Sequence, residues 1–351
     1  MNIYLHFPFC RSKCAYCALH SRAGEPEYER RAYVKRLAAD LDRHFRNCGG
    51  KPLSTLYFGG GTPALCDLSP VLDTVGRQAK SRQFEFTVEL NPLDVSPGLL
   101  SKLRSGGVNR ISMGVQSFDD SVLKSMGRLH SADQARNAWR MIRDAGFDNA
   151  GFDLICGWPE CGATGGASAG VWSRTLDAAA SLSPDHCSVY TLILEPGTRL
   201  ARDVDAGMTS LPSDDVALSE LAEAERILGG AGLERYEISS FSKPGKECRH
   251  NLAVWRGEDY TGIGEGACSR EGDAVSRVIF RLRLLKEGFS PESAAADFPE
   301  LAPRVDEWNE TLGRFTEEGL LTASRTDSTA TTYRLTPRGT EVCDTILAEL
   351  V

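Results

Sequence analysis

Cys10, Cys14 and Cys17 stand in the spacing Cys-x3-Cys-x2-Cys, close enough along the chain for three thiolates to share one metal centre. Thiolates are soft donors that suit zinc or an iron–sulfur cluster. A structural zinc wants four closed ligands, and His20 is the one nearby candidate for the fourth. A 4Fe–4S cubane held by three thiolates instead keeps one iron open. S-adenosylmethionine (SAM) chelates such an iron through its amino and carboxylate groups, and an electron passed into its sulfonium breaks a carbon–sulfur bond. In that chemistry the cofactor reacts, while the protein orients it and tunes the electron. From spacing alone, a zinc knuckle and three incidental thiols remain alternatives.

Further residues of the same kind follow along the chain. Gly59-Gly60-Gly61-Thr62-Pro63 succeeds a strand-like Leu56-Tyr57-Phe58, and glycine lets a backbone come close to a ligand. Its carbonyls could accept from an amino group. Glu89 and Gln116 end two later strand-like runs, and Asp153 lies on a third. Arg128 could hold a carboxylate as a bidentate fork. Singly, each is as well explained by a solvated loop or a structural ion pair. His250 and Cys248 carry side chains able to ligate a metal, against the alternative that His250 hydrogen-bonds its own neighbourhood. Cys156 and Cys161 lack a second pair and read as incidental.

Repeated strand-then-helix segments must position these residues. Strand patterns fall at Ile3–Phe7, Leu56–Phe58, Phe84–Leu90, Arg110–Val115, Phe152–Cys156, Cys187–Leu192 and Glu234–Ile238, with helical periodicity between them. That alternation predicts a parallel α/β sheet with helices outside, and the candidate residues fall at or near strand ends, where such folds build active sites. Six to seven units fall short of a closed barrel, so a partial (β/α)6 TIM-like barrel is expected, open on one side to a substrate. Residues 1–241 are read as this barrel and 242–271 as a linker and motif segment. Residues 272–351 read as a small, mostly helical, winged-helix-like domain. Gly162–Gly170 is read as a loop inside the barrel.

The chain has 351 residues, 41% hydrophobic and 25% charged, with a formal net charge of −8. The acidic balance is a poor match for nucleic acid. Apolar runs are strand-length, which excludes a membrane span. The N-terminus reads as a strand rather than a signal peptide, so a cytoplasmic protein is expected. The 11 cysteines are an odd number, which argues against a disulfide framework.

The run Tyr4-Leu5-His6-Phe7-Pro8-Phe9-Cys10, the three-cysteine motif and Gly59-Gly60-Gly61-Thr62-Pro63 resemble the radical SAM superfamily. Within it they resemble the oxygen-independent coproporphyrinogen III oxidase group, which holds both HemN-type oxidases and HemW-type heme chaperones. The resemblance implies a 4Fe–4S cluster on Cys10, Cys14 and Cys17. It also implies a SAM site lined by Tyr4, Tyr16, Gly60, Gly61, Thr62, Glu89, Gln116, Arg128 and Asp153. The oxidases carry a fourth cysteine where this chain has Leu19, and a longer arm than the nine residues before Cys10. Tyr236–Leu252 and Trp255–Gly264 are similar instead to the chaperones, whose His-Asn-x-x-Tyr motif is associated with heme. Here it reads His250-Asn251-Leu252-Ala253-Val254, and valine can neither ligate iron nor donate a hydrogen bond. The resemblance thus implies heme or a porphyrin as ligand, a reductant such as flavodoxin or ferredoxin, and a heme-acceptor protein. A porphyrin-directed oxidase is the enzyme alternative.

Overall fold

A computed structural model describes residues 1–79, 83–159, 170–270, 272–325 and 330–351. Cys161 and nearly all of the Gly162–Gly170 loop lie outside the described residues. Six strands run in chain order: β1 (Asn2–Phe7), β2 (Thr55–Gly60), β3 (Glu85–Leu90), β4 (Arg110–Gln116), β5 (Ala150–Cys156) and β6 (His186–Thr191). Each pairs parallel with the next. The sheet continues with β7 (Glu234–Glu237), β8 (Ser240–Ser242) and β9 (Tyr260–Ile263), in the spatial order β9-β1-β2-β3-β4-β5-β6-β8-β7. β8 and β7 attach antiparallel, while β9 attaches parallel to β1. The expected partial barrel is therefore present, an open parallel sheet extended at both edges.

The helices cover the outside for the reasons their sequences suggest. Val34, Leu37, Ala38, Leu41 and Phe45 recur at helical spacing on Glu27–Asn47 and are buried against the sheet. Ala132–Asp144 opens with a reciprocal capping box between Ser131 and Gln134. The main core joins both sheet and helices, with Phe7, Phe58, Phe86 and Phe152 fully buried.

Strand alternation then decides what faces the barrel lumen. Ile3, Leu5 and Phe7 point into the helix layer, leaving Asn2, Tyr4 and His6 for the other face. The same parity sends Thr55, Tyr57 and Gly59, then Glu85, Thr87 and Glu89, to that face. A barrel lumen lined by such residues is polar, and it must satisfy its groups internally or through a ligand.

Two short strands of this sheet were not legible as such. Ser240–Ser242 ends where a linker was expected, and the following Lys243 is tied to Asp185 by its amide and by an ion pair at 3.1 Å. Tyr260–Ile263 adds a strand to the edge of β1. A separate core gathers Val278, Trp308, Leu312, Ile346 and Leu350. There the helix Val305–Glu317, the antiparallel pair β10 (Leu321–Arg325) and β11 (Thr331–Leu335), and the helices Pro337–Glu341 and Cys343–Ala348 give the expected helix–wing–helix order. No helix among the described residues is long and apolar enough to cross a membrane.

Candidate functional site

The carboxyl ends of β1 to β6 open into one cavity of about 500 Å³. Its wall includes Cys10, Cys14, Cys17, Tyr16, Gly60, Gly61, Thr62, Glu89, Gln116, Arg128 and Asp153. Eleven residues singled out in the sequence thus meet at one place. Tyr4, His20, Cys248 and His250 do not line it.

The cysteine loop leaves β1 and is held from several sides. Arg22 N–H donates to Pro8 O at 2.7 Å, Ala15 N–H to Met126 O at 2.8 Å, and Leu200 N–H to Ala15 O at 2.8 Å. All three thiols are free and part-exposed. Burial pushes the Cys10 and Cys17 thiols upward, so metal binding there displaces protons. Among the described residues, no three His, Cys, Asp or Glu side chains gather tightly enough for a single metal ion. Three soft donors lining one roomy cavity fit an iron–sulfur cluster.

Glycine shapes the neighbouring wall. Gly60 has φ +112, and a Cβ on it would meet the His6 ring at 2.6 Å. A Cβ on Gly61 would stand 2.5 Å from Phe9 O and 2.9 Å from Cys10 Sγ. Gly61→Ala must therefore push the cysteine loop away. Iron content after anaerobic reconstitution is expected to fall by more than half, and a full complement in that variant would contradict the close approach.

Two carboxylates face the cavity. Glu89 accepts from Tyr57 Oη–H at 2.8 Å and from Gly60 N–H at 3.1 Å. Burial, then the neighbouring Asp153 charge, raises its carboxyl to about 7. Asp153, itself raised by burial, accepts from Ser112 Oγ–H at 3.1 Å. Two buried carboxyls whose pKa values are both raised suit a cationic ligand, because a positive charge favours their ionised forms. Arg128 donates to Cys14 Sγ at 3.5 Å and to Gly114 O, and its buried Nε has no partner among the described residues. Gln116 closes β4 with φ 71, in the left-handed region, at a register shift against β5. Strain of this kind in a non-glycine residue persists where the surroundings fix it, commonly at a site. Tyr16 packs edge-on against Trp158 at 5.7 Å. Orphaned Arg128 Nε, the glycine cradle and the three soft thiols together fit a cluster with SAM beside it.

Tyr4 lies one layer deeper in the lumen. Its ring stacks on Tyr57 at 6.0 Å, and its hydroxyl hydrogen-bonds His6 Nδ1 at 3.1 Å. His6 Nε2 in turn meets His20 O at 2.8 Å. Tyr57 and His6 are thus functional neighbours that motif reading missed. A tyrosine on the lumen side of a strand needs a polar partner, and that was the available signal.

His250 lies at the other end of the barrel. It is 5% exposed. Its Nδ1 meets Thr55 Oγ1 at 2.8 Å and its N–H donates to Glu85 Oε1 at 3.0 Å, and both partners begin their strands. Arg249 N–H donates to the same carboxylate, so Glu85 caps the helix Arg249–Trp255. Cys248 is fully buried beside Glu85, its thiol pushed up to about 12. In place of an accessible iron ligand, the structure has a plug at the barrel's base, with the His250 ring 5.1 Å from Tyr57. His250→Ala is expected to cost about 2–4 kcal/mol by denaturant unfolding, from the lost hydrogen bond and the void. Burial and Arg110 lower the His250 pKa to about 4, so the native state holds it neutral. Stability is lost as pH falls from about 6.5 toward 4, and the variant should lose less over that range.

The radical SAM superfamily model matches residues 4–161 of the chain. The heme chaperone HemW of Escherichia coli (strain K12) is 35% identical over 271 residues, which cover 76% of this chain and 69% of that protein. The chain belongs to the HemW family of radical SAM proteins. The heme chaperone HemW of Bacillus subtilis (strain 168) is 34% identical, with 76% and 70% covered. Among solved structures, the coproporphyrinogen III oxidase HemN from Escherichia coli superposes with a TM-score of 0.80 at 20% identity, over 99% of this chain and 89% of that one. That likeness shows the shared fold. Membership in the HemW family also implies the superfamily's cofactors, a 4Fe–4S cluster and SAM.

Proposed function

We propose that this chain is a heme chaperone that carries a 4Fe–4S cluster on Cys10, Cys14 and Cys17 and binds SAM in the adjoining cavity. The observation that carries the reading is the meeting of three thiols, a glycine cradle, two carboxylates and a buried guanidinium on one wall, in a chain of the HemW family. Carbonyls of the Gly60–Gly61 stretch and the Glu89 carboxylate hold the amino group. Arg128 takes the carboxylate, Asp153 and Gln116 take ribose hydroxyls, and Thr62 and Tyr16 complete the wall. Tyr4 acts one step removed, by packing Tyr57 behind Glu89. When bound, the cluster and SAM together supply reductive cleavage of a carbon–sulfur bond, with the electron from a flavodoxin- or ferredoxin-like protein.

Heme uptake and delivery to an acceptor protein in the cytoplasm are the other half of the proposal. Leu19, at the position of the oxidases' fourth cysteine, supports a chaperone over a porphyrin oxidase, because leucine brings no further ligand to the cavity. Titrating the reconstituted chain with hemin under anaerobic conditions is expected to give a shifted Soret band that saturates near one heme per chain. An unchanged hemin spectrum would overturn this reading. Conversion of coproporphyrinogen to protoporphyrinogen with SAM and reductant would favour the oxidase.

A further inference from the structure

Large apolar side chains left in water gather at the mouth of the cavity. Of the ten such residues among the described part of the chain, four line this opening: Leu19 at 57% exposed, Leu129 at 59%, Tyr190 at 44% and Ile193 at 68%. They come from three separate stretches, the end of the cysteine loop, the segment after Asp120–Ser125 and the end of β6. Scattered exposed apolar residues need no explanation, but a concentration around one opening marks a docking surface. Three cations share the lining, of which Arg128 is committed to Gly114 O and Cys14 Sγ. Arg11 is committed to Asp94, with Nε at 2.8 Å from Oδ1, whereas Lys13 is exposed and has no ion-pair partner among the described residues.

We infer that this rim is the heme-docking surface of the chain, with the macrocycle laid against Leu19, Leu129, Tyr190 and Ile193 and a propionate directed to Lys13. The inference rests on the heme reading above and adds the place. A porphyrin is a broad apolar plate with two anionic arms on one edge. The rim offers an apolar collar with one uncommitted cation, which complements both parts. The buried His250 plug offers neither, being closed to a ligand of that size. Heme on the rim covers the SAM cavity, so cargo and cofactor share one entrance.

The test is anaerobic hemin titration of the reconstituted full chain, of a Leu129→Glu/Ile193→Glu double variant and of Lys13→Glu. Both substituted leucine and isoleucine positions are exposed, so the fold is not at stake. The double variant is expected to bind hemin about tenfold more weakly or worse, and Lys13→Glu severalfold more weakly. The SAM-dependent change in the reduced cluster's EPR signal shows that each variant is intact. A Soret shift in the wild type that persists undiminished in the double variant overturns the rim and leaves heme binding standing. Absence of any shift in the wild type overturns both.

Discussion

A chain with Cys14 replaced by alanine is expected to keep its fold and lose its cluster. Cys14 is part-exposed, and its thiol accepts from Arg128 Nη1 at 3.5 Å and hydrogen-bonds the Tyr16 side chain. The loop around it is held by backbone bonds from Ala15, Arg22 and Leu200 that do not need the thiol. Unfolding free energy should therefore change by less than about 1 kcal/mol. The wild type is expected to take up about four iron and four sulfide on reconstitution. With two thiolates left, the variant should retain less than about a tenth of that, and the broad visible absorption of the cluster should vanish. Retention of most of the iron would mean that another ligand replaces Cys14, and the three-thiolate assignment would fail.

The second large effect concerns Glu89 and pH. Its carboxyl is raised to about 7 by burial and by Asp153, so it is largely neutral at pH 6 and largely ionised at pH 8. If the carboxylate holds the SAM amino group, only the ionised form contributes. Glu89→Gln removes that contribution at every pH. The ratio of variant to wild-type SAM dissociation constants is then expected to rise about tenfold between pH 6 and pH 8. Taking the ratio cancels the titration of SAM itself. Tyr57→Phe deletes a hydrogen bond that favours the ionised carboxylate, so it should move the wild-type profile to higher pH. A ratio independent of pH would remove Glu89 from the SAM site.

Much of the fold was legible because its six parallel strands are each a run of β-prone residues followed by a helical period. The site was legible for a related reason. In a parallel sheet every strand ends on the same side, so Gly60, Glu89, Gln116 and Asp153 meet although widely separated in sequence. Depth along the barrel was not legible. Tyr4 sits below the cavity because pairing sets it beside Tyr57, which only the register reveals. His250 is at the base because Glu85, at the start of β3, captures the first amides of its helix. Tyr260–Ile263 escaped notice because four residues including a glycine show no pattern of their own. They form a strand because β1 presents an open edge. Tyr57 hid between Leu56 and Phe58, where a tyrosine looks like core.

The identity of the centre can be checked in one measurement. Reconstituted, dithionite-reduced protein is examined by low-temperature EPR with and without SAM. The cluster signal should be that of a reduced 4Fe–4S centre, and SAM should change its g-values, because one iron has no cysteine and accepts the ligand. A signal of that kind unaffected by saturating SAM, or a colourless protein that binds zinc with Cys10, Cys14 and Cys17, would contradict the assignment.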